Sequence, residues 1–160
     1  MISSLEAAGH GRSDGSADHA TRPQPHAILY DSDCGFCKWS LDKILAWDRR
    51  RRLRPVGIQS AEGRQLLSSV PDEDRLSSWH LVSPAGEVLS AGAAAPRLLE
   101  LLPRGRPLSL LLGRFPGATN HAYRFVAANR PHLTRLLRID PDRDLRRLEA
   151  RRAPRTTNRL

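Results

Sequence analysis

Residues 27–37 read Ala27-Ile28-Leu29-Tyr30-Asp31-Ser32-Asp33-Cys34-Gly35-Phe36-Cys37. The first four are apolar and predict a short buried strand, whereas the next three are turn-forming residues. Either Asp31 or Asp33 is expected to cap the following helix, Asp33 in preference. A helical pattern then continues to about Asp48. The cysteines therefore stand at the first turn of a helix that follows a strand, an arrangement that indicates redox chemistry.

The position of the cysteine pair predicts how each thiol behaves. The first turn of a helix has unpaired backbone N–H groups and the positive end of the dipole, and both stabilise a thiolate. Cys34 is therefore expected to have a lowered pKa and to attack a disulfide, and the more buried Cys37 to resolve the mixed disulfide. Asp31 is expected to lie beside Cys37 and to take or give its proton. A carboxylate also raises a thiol pKa, and the sequence leaves open which effect prevails at Cys34.

The helix after the cysteines is predicted to be amphipathic. Four residues at helical spacing are expected to face the core: Cys37, Leu41, Ile44 and Leu45. Three charged residues are expected to point outward: Lys38, Asp42 and Lys43. The arginines at 49–52 follow the end of this helix, where cations interact favourably with the helix dipole.

The rest of the chain alternates between strand and helix patterns. Strands are predicted at 53–58, 79–83 and 87–91, and helices between Ser60 and Pro71, at 93–102, from Thr119 to a disturbance at Pro131, and from Asp140 and Pro141 onward. Pro55 suggests an edge strand, and Pro103, Gly105 and Pro107 are interpreted as helix breakers. The first two strands imply a parallel pair with a right-handed crossover, and the hairpin adds an antiparallel pair. With the cysteine motif, this order predicts an α/β, thioredoxin-like fold: a four-stranded mixed sheet flanked by helices, with additional C-terminal helices.

Composition divides the 160 residues into three parts. Residues 1–25 are polar without an apolar period and predict a disordered N-terminal tail. Residues 26–138 are predicted to form the thioredoxin-like domain, and residues 139–160 a basic C-terminal helix and tail. No apolar run is long enough to span a membrane and no secretory signal is visible, so the sequence predicts a cytoplasmic protein without a membrane partner.

The net charge of +9, almost all of it arginine, raises a second hypothesis. The chain could be a non-catalytic thioredoxin-like binding module whose arginine-rich surface holds nucleic acid or an acidic protein. The runs are residues 49–52 and the tail from Arg143. No aromatic residues interleave them, so a solvated basic surface is the simpler interpretation.

Other uses of the cysteine pair find less support. Zinc needs about four ligands, and His80 or His121 would have to complete the set, although each stands beside apolar residues that predict a packing or surface role. Covalent haem attachment needs a histidine after the second cysteine, where Lys38 stands. A scaffold with inert thiols is a third alternative. No flavin or nicotinamide signature is visible, so no cofactor is predicted, and electrons would come from a protein thiol or a small-molecule thiol.

Four segments resemble the DCC-type thiol–disulfide oxidoreductase family. They are residues 28–37, the second strand at 53–59, the hairpin and following helix at 86–94, and the late Tyr-x-x-Val-Ala-x-Asn-Arg helix at 123–130. The resemblance implies a thioredoxin-like fold and a redox activity on thiols and disulfides. The family is named for an Asp and two Cys, which here are Asp31, Cys34 and Cys37.

Two positions depart from the family pattern. Ser32 replaces the usual glycine, and a serine fits unless that turn requires a positive φ. Thioredoxins also place a cis-proline before the third strand, where this chain has Ser77-Ser78. Either the substrate groove is built differently, or ordinary disulfide exchange is not the activity. In the late helix, Tyr123, Asn129 and Arg130 either serve helix packing and termination or border the site.

Overall fold

The computed structural model describes residues 24–140, 146–147 and 150. Four strands form one sheet: β1 (His26–Tyr30), β2 (Leu53–Gly57), β3 (His80–Val82) and β4 (Val88–Ser90). The helices of the described part are α1 (Gly35–Trp47), α2 (Ala61–Leu66), α3 (Asp72–Arg75), α4 (Ala91–Leu101), α5 (Arg106–Arg114), α6 (Pro116–Ala128) and α7 (Arg130–Leu136). None of these helices has the length and apolar character needed to cross a membrane. Most of the predicted tail at 1–25 and of the predicted basic segment at 139–160 lies outside the described residues.

The sheet has the strand order β2-β1-β3-β4. β1 runs parallel to β2, with Leu29 opposite Val56, and antiparallel to β3, with Ile28 opposite Leu81. β3 and β4 form the predicted hairpin. Pro55 lies on the edge strand β2, where a missing backbone N–H leaves no gap inside the sheet. The predicted α/β, thioredoxin-like fold with a four-stranded mixed sheet is confirmed.

The core has two parts because the side chains of β1 alternate between the two faces of the sheet. Ile28 and Tyr30 pack into one cluster with residues of α1 and α4, whereas Ala27 and Leu29 pack into another with β2 and α2. Burial on both faces explains why residues 27–30 of β1 form an uninterrupted apolar run. The strand therefore ends at a sharp boundary, where the chain changes from buried Tyr30 to the polar turn that carries the cysteines.

The later helices differ most from the sequence-based expectations. The break expected at Pro103, Gly105 and Pro107 is found, since α4 ends at Leu101. A further helix that was not predicted, α5, begins at Arg106, because Pro107 stands in its first turn, where a missing N–H costs no hydrogen bond. Pro116 and Pro131 have the same place in α6 and α7. Proline thus marks the start of each of these helices rather than an interruption within it.

Two charged residues of α1 are also placed differently from the prediction. Lys38 is 9% exposed and Asp42 only 2%, although both were expected to point outward. Burial of these two side chains is set by the tertiary packing around α1, which the periodicity of the helix does not show. Lys43 and Arg147 approach the Asp42 carboxylate at 3.6 and 3.9 Å, so the buried charge has cationic neighbours.

Candidate active site

Cys34 stands between β1 and α1, and its own sulfur caps the helix. Its backbone is extended (φ −91°, ψ 112°), and its Sγ accepts a hydrogen bond from the Cys37 backbone N–H at 3.2 Å. This contact to the third helical residue is the one that a capping Ser or Asp side chain normally makes. The predicted caps, Asp33 and Asp31, were therefore wrong. Asp31 Oδ1 instead accepts from the Asp33 N–H at 2.9 Å, so both carboxylates belong to the turn before the helix.

The pKa of Cys34 is lowered to about 6. The largest cause is a hydrogen bond from the Cys37 side chain, and burial opposes it. The Cys37 backbone N–H and the positive charge of Arg130 lower the pKa further, whereas the Asp31 carboxylate raises it. The groups that favour the thiolate prevail over Asp31, which answers the question that the sequence left open.

Cys37 shifts in the opposite direction. Its pKa is raised, first by the hydrogen bond to Cys34, then by burial and by the negative charge on Cys34. Both cysteines are free and partly buried. The pair therefore combines one ionised sulfur with one protonated sulfur, as disulfide exchange by an attacking and a resolving thiol requires.

Gln59 holds the turn that carries the cysteines, and the sequence analysis did not single it out. Its Oε1 accepts from the Ser32 N–H at 3.1 Å and from the Ser32 hydroxyl at 2.6 Å, while its Nε2 donates to Asp31 Oδ1 at 2.6 Å. Gln59 follows β2, whose carboxyl end lies beside that of β1 because the two strands are parallel. A polar residue just after a second parallel strand is the signal that could have identified it.

Tyr123 of α6 and Arg130 of α7 complete the site from the other side, and we call them the Tyr123–Arg130 pair. The Tyr123 hydroxyl accepts from the Trp79 backbone N–H at 3.3 Å and from Arg130 Nη2 at 3.1 Å. The same Nη2 donates to the Ser77 carbonyl at 3.2 Å. Burial raises the pKa of Tyr123, so its hydroxyl stays protonated. Asn129, by contrast, donates its Nδ2 to the Phe125 carbonyl at 2.7 Å and serves the end of α6.

The profile of the DCC1-like thiol-disulfide oxidoreductase family matches residues 28–136. The chain belongs to this family. The resemblance predicted from the sequence is thereby confirmed, and thiols and disulfides in general are the family's substrates. No curated protein and no solved structure matches the chain.

The two positions at which this DCC1-like protein departs from the expected pattern, Ser32 and Ser77-Ser78, both fit their surroundings. Ser32 is not among the described residues with positive φ, so serine is tolerated there without strain. Its hydroxyl also bonds Gln59, a contact that glycine could not make. Before β3, no cis peptide bond occurs within the described residues, and Ser77 and Trp79 are held by the Tyr123–Arg130 pair instead.

A cavity of about 260 Å³ lies beside Cys37 in this DCC1-like site. Residues of β1, α1, the segment before β3, α6 and α7 line it, and most are apolar. Asp31, Cys37 and the Tyr123–Arg130 pair lie in its wall. Phe36 also lines it and packs against Trp39, with ring centroids 5.8 Å apart. The elements that position the cysteines thus also enclose an apolar space next to them.

The two histidines considered as metal ligands lie apart from the cysteines of the DCC1-like motif. His80 is buried, with Nδ1 2.7 Å from the Ser90 hydroxyl and Nε2 2.9 Å from the Arg75 carbonyl, and its pKa is lowered chiefly by burial. His121 is exposed on α6. Among the described residues, no three His, Cys, Asp or Glu side chains come together as a metal site.

The arginine run and the cysteine pair of this DCC1-like protein lie at opposite ends of α1. The arginines at 49–52 are all exposed in the loop between α1 and β2. Buried Asp48 holds that loop by accepting the backbone N–H groups of Arg52 and Leu53 at 3.1 and 2.8 Å. A helix of 13 residues is about 20 Å long. A ligand bound by the arginine run would therefore occupy a surface separate from the thiols.

Proposed function

We propose that this protein is an enzyme that catalyses dithiol/disulfide exchange. Cys34 is the attacking thiolate, Cys37 is the resolving thiol, and Asp31 exchanges the proton of Cys37. Its partners are protein or small-molecule thiols and disulfides. No bound cofactor takes part, and a protein thiol or a small-molecule thiol supplies the electrons.

The observation that carries the proposal is the contact between the two cysteines. The Cys37 N–H lies 3.2 Å from Cys34 Sγ, and the Cys37 side chain is the largest cause of the low Cys34 pKa. With a pKa of about 6, about nine-tenths of Cys34 is thiolate at pH 7. A thiolate of this pKa combines a high ionised fraction with remaining nucleophilicity, which suits exchange near neutral pH.

The cycle balances in two steps. The Cys34 thiolate attacks one sulfur of a substrate disulfide, which breaks the S–S bond, forms a mixed disulfide and releases one substrate thiolate. Cys37 then loses its proton and attacks Cys34 Sγ, which releases the second substrate thiolate and leaves the Cys34–Cys37 disulfide. Two electrons have passed from the pair to the substrate, and an external thiol restores the pair.

Asp31 is suited to the second step. It lines the same cavity as Cys37, whose raised pKa makes a proton acceptor necessary. Asp31 Oδ1 is occupied by Gln59 and Asp33, whereas Oδ2 has no hydrogen-bond partner within the described residues. We propose Oδ2 as the atom that receives the proton. A cytoplasmic location stays a prediction of the sequence.

Trapping of mixed disulfides tests the two cysteine roles. Cys37→Ser should accumulate covalent adducts with cellular thiols or proteins, because the resolving thiol is lost, and Cys34→Ser should accumulate none. Adducts are counted by mass spectrometry with and without a reductant. Equal trapping by both variants, or by neither, would contradict the assignment.

A separate measurement tests Asp31. Asp31→Asn should leave formation of the mixed disulfide intact and slow its resolution, as followed by rapid acid quench and mass spectrometry. Asp33→Asn, a carboxylate two residues away in the exposed part of the turn, is the matched control. A variant at Asp31 that resolves the adduct at the original rate would remove Asp31 from the mechanism.

A further inference from the structure

The cavity beside Cys37 has the size of a small apolar group. Its lining includes Ile28, Leu41, Ile44, Trp79 and Val126. Apolar cavities of about 150 Å³ in other proteins stay dry and bind benzene. A cavity of about 260 Å³ can therefore hold one aromatic ring with its attached atoms, or a short aliphatic chain.

Arg130 adds a cation to this apolar wall. Its Nη2 is fixed by Tyr123 and by the Ser77 carbonyl, whereas Nε and Nη1 have no hydrogen-bond partner among residues 24–140. No carboxylate of the described chain forms a salt bridge with it. The carboxylate of the lining, Asp31, accepts instead from Gln59 Nε2. Arg130 thus has an anchored guanidinium with donors left for an anion.

The segment before β3 is poorly suited to an extended peptide. A peptide that adds to an exposed edge needs free backbone N–H and C=O groups. Here the Ser77 carbonyl is bonded by Arg130 and the Trp79 N–H by Tyr123. These contacts favour a small molecule over a protein segment as the occupant.

We propose that the substrate is a small-molecule disulfide with an apolar ring next to its sulfur and a carboxylate beyond it. The apolar group fills the cavity beside Cys37, and the carboxylate pairs with Arg130. This inference rests on the proposed exchange by Cys34 and Cys37. The reaction is the one given above: the substrate S–S bond takes two electrons from the cysteine pair and yields two thiols.

Three disulfides with alkyl sulfurs separate the two recognition elements. Bis(carboxybenzyl) disulfide has the ring and the carboxylate, its bis-carboxamide has the ring alone, and dithiodipropionate has the carboxylate alone. Single-turnover rates are measured with the pre-reduced full-length protein under substrate excess, and each is divided by the rate of the same disulfide with dithiothreitol. We expect the first probe to react about tenfold faster than either of the others on this normalised scale.

Variants then assign each preference to its residue. Arg130→Gln should remove the preference for carboxylate over carboxamide, and Arg130→Lys should retain part of it. Arg124→Gln is the control, because Arg124 lines the neighbouring polar groove but not the cavity. Ala127→Leu, which fills the cavity, should remove the preference for the ring, and the control Ala128→Leu should keep it. Ratios between probes are unaffected by a general change in thiol reactivity.

The outcomes distinguish the inference from the proposed function. If all three disulfides react no faster than with a free thiol, the proposed exchange fails. If all react fast but at equal normalised rates, exchange stands and the substrate class is overturned. The substrate class is also overturned if Arg130→Gln keeps the carboxylate preference or if an oxidised peptide outcompetes the first probe.

Discussion

Cys34 Sγ accepts a hydrogen bond from a residue three positions along the chain. By contrast, the Ser77 carbonyl accepts from a side chain 53 residues away, and the Trp79 N–H donates to one 44 residues away. In the cysteine turn, residues 31–37, the reactive sulfur is therefore positioned by a contact between residues that are close in sequence. The Tyr123–Arg130 pair reaches the cavity beside Cys37 only because α6 packs against α4 and α7 packs against α1. Local spacing determines which sulfur is ionised, and distant contacts determine the charge and shape around it.

The largest expected effect lies within the cysteine turn. Cys37→Ala removes the side-chain hydrogen bond that is the main cause of the low Cys34 pKa, so this pKa should rise from about 6 towards the ordinary cysteine value. The rate of iodoacetamide alkylation as a function of pH measures it. For the unchanged protein the rate should increase as the pH rises through about 6, because only the thiolate reacts.

Cys37→Ser is the matched control, since its hydroxyl keeps a donor and should give a smaller rise. An alkylation midpoint that stays near 6 in Cys37→Ala would mean that the helix terminus alone ionises Cys34.

The next largest effects concern stability. They compare how much the hydrogen bonds that hold the cysteine turn and those of the Tyr123–Arg130 pair contribute to the free energy of unfolding. Gln59→Leu loses the hydrogen bonds of the Gln59 side chain to the cysteine turn and leaves the Ser32 N–H without its partner, which should cost about 2 kcal/mol of unfolding free energy. Tyr123→Phe loses two bonds and should cost about 1 kcal/mol. Urea denaturation measures both values.

Gln65→Leu, at an exposed position of α2, is the control for the glutamine change. A larger loss for Tyr123→Phe than for Gln59→Leu would reverse the order and make the contacts of the Tyr123–Arg130 pair contribute more to stability than those that hold the cysteine turn.

The smallest expected effect is that of Arg130, in the Tyr123–Arg130 pair, on the pKa of Cys34 in the cysteine turn. Arg130 lowers the Cys34 pKa through its charge, behind the two hydrogen bonds from Cys37 and the opposing effect of burial. Arg130→Gln should therefore raise the alkylation midpoint by less than Cys37→Ala does. Arg124→Gln, whose side chain is not among the causes of the shift, should leave it in place. A shift for Arg130→Gln as large as that for Cys37→Ala would show that charge, not the local hydrogen bond, ionises the thiol.

The sequence allowed prediction of those features whose causes are local. The apolar run before the cysteines and the turn after it predicted β1, α1 and the place of the pair at the start of the helix, and alternation predicted the hairpin. Burial of Lys38 and Asp42 could not be predicted, because it depends on tertiary packing around α1, as the approach of Arg147 to Asp42 shows. The proline at the start of α5 was open to two interpretations, as breaker or as first-turn residue, and only packing against α4 distinguishes them.

The residues of the site divide in the same way, into those placed by local sequence and those placed by distant contacts. Cys34, Cys37 and Asp31 could be proposed from spacing, and the late Tyr-x-x-Val-Ala-x-Asn-Arg segment suggested neighbours without saying which of them faces the thiols. Gln59 was missed because its partners lie 27 and 28 residues away, across a parallel pairing that the sequence predicts only coarsely. Helix capping by sulfur was missed because Asp33 is the better cap by residue type.

That cap has a consequence for the backbone. A covalent bond from Cys34 Sγ to a substrate or to Cys37 takes one lone pair and the negative charge of the thiolate, so the sulfur becomes a weaker acceptor for the Cys37 amide. The hydrogen bond that caps α1 is therefore expected to be stronger in the reduced protein than in the oxidised protein. Solvent exchange of one amide proton, that of Cys37, would report the redox state of the protein without any chemical label.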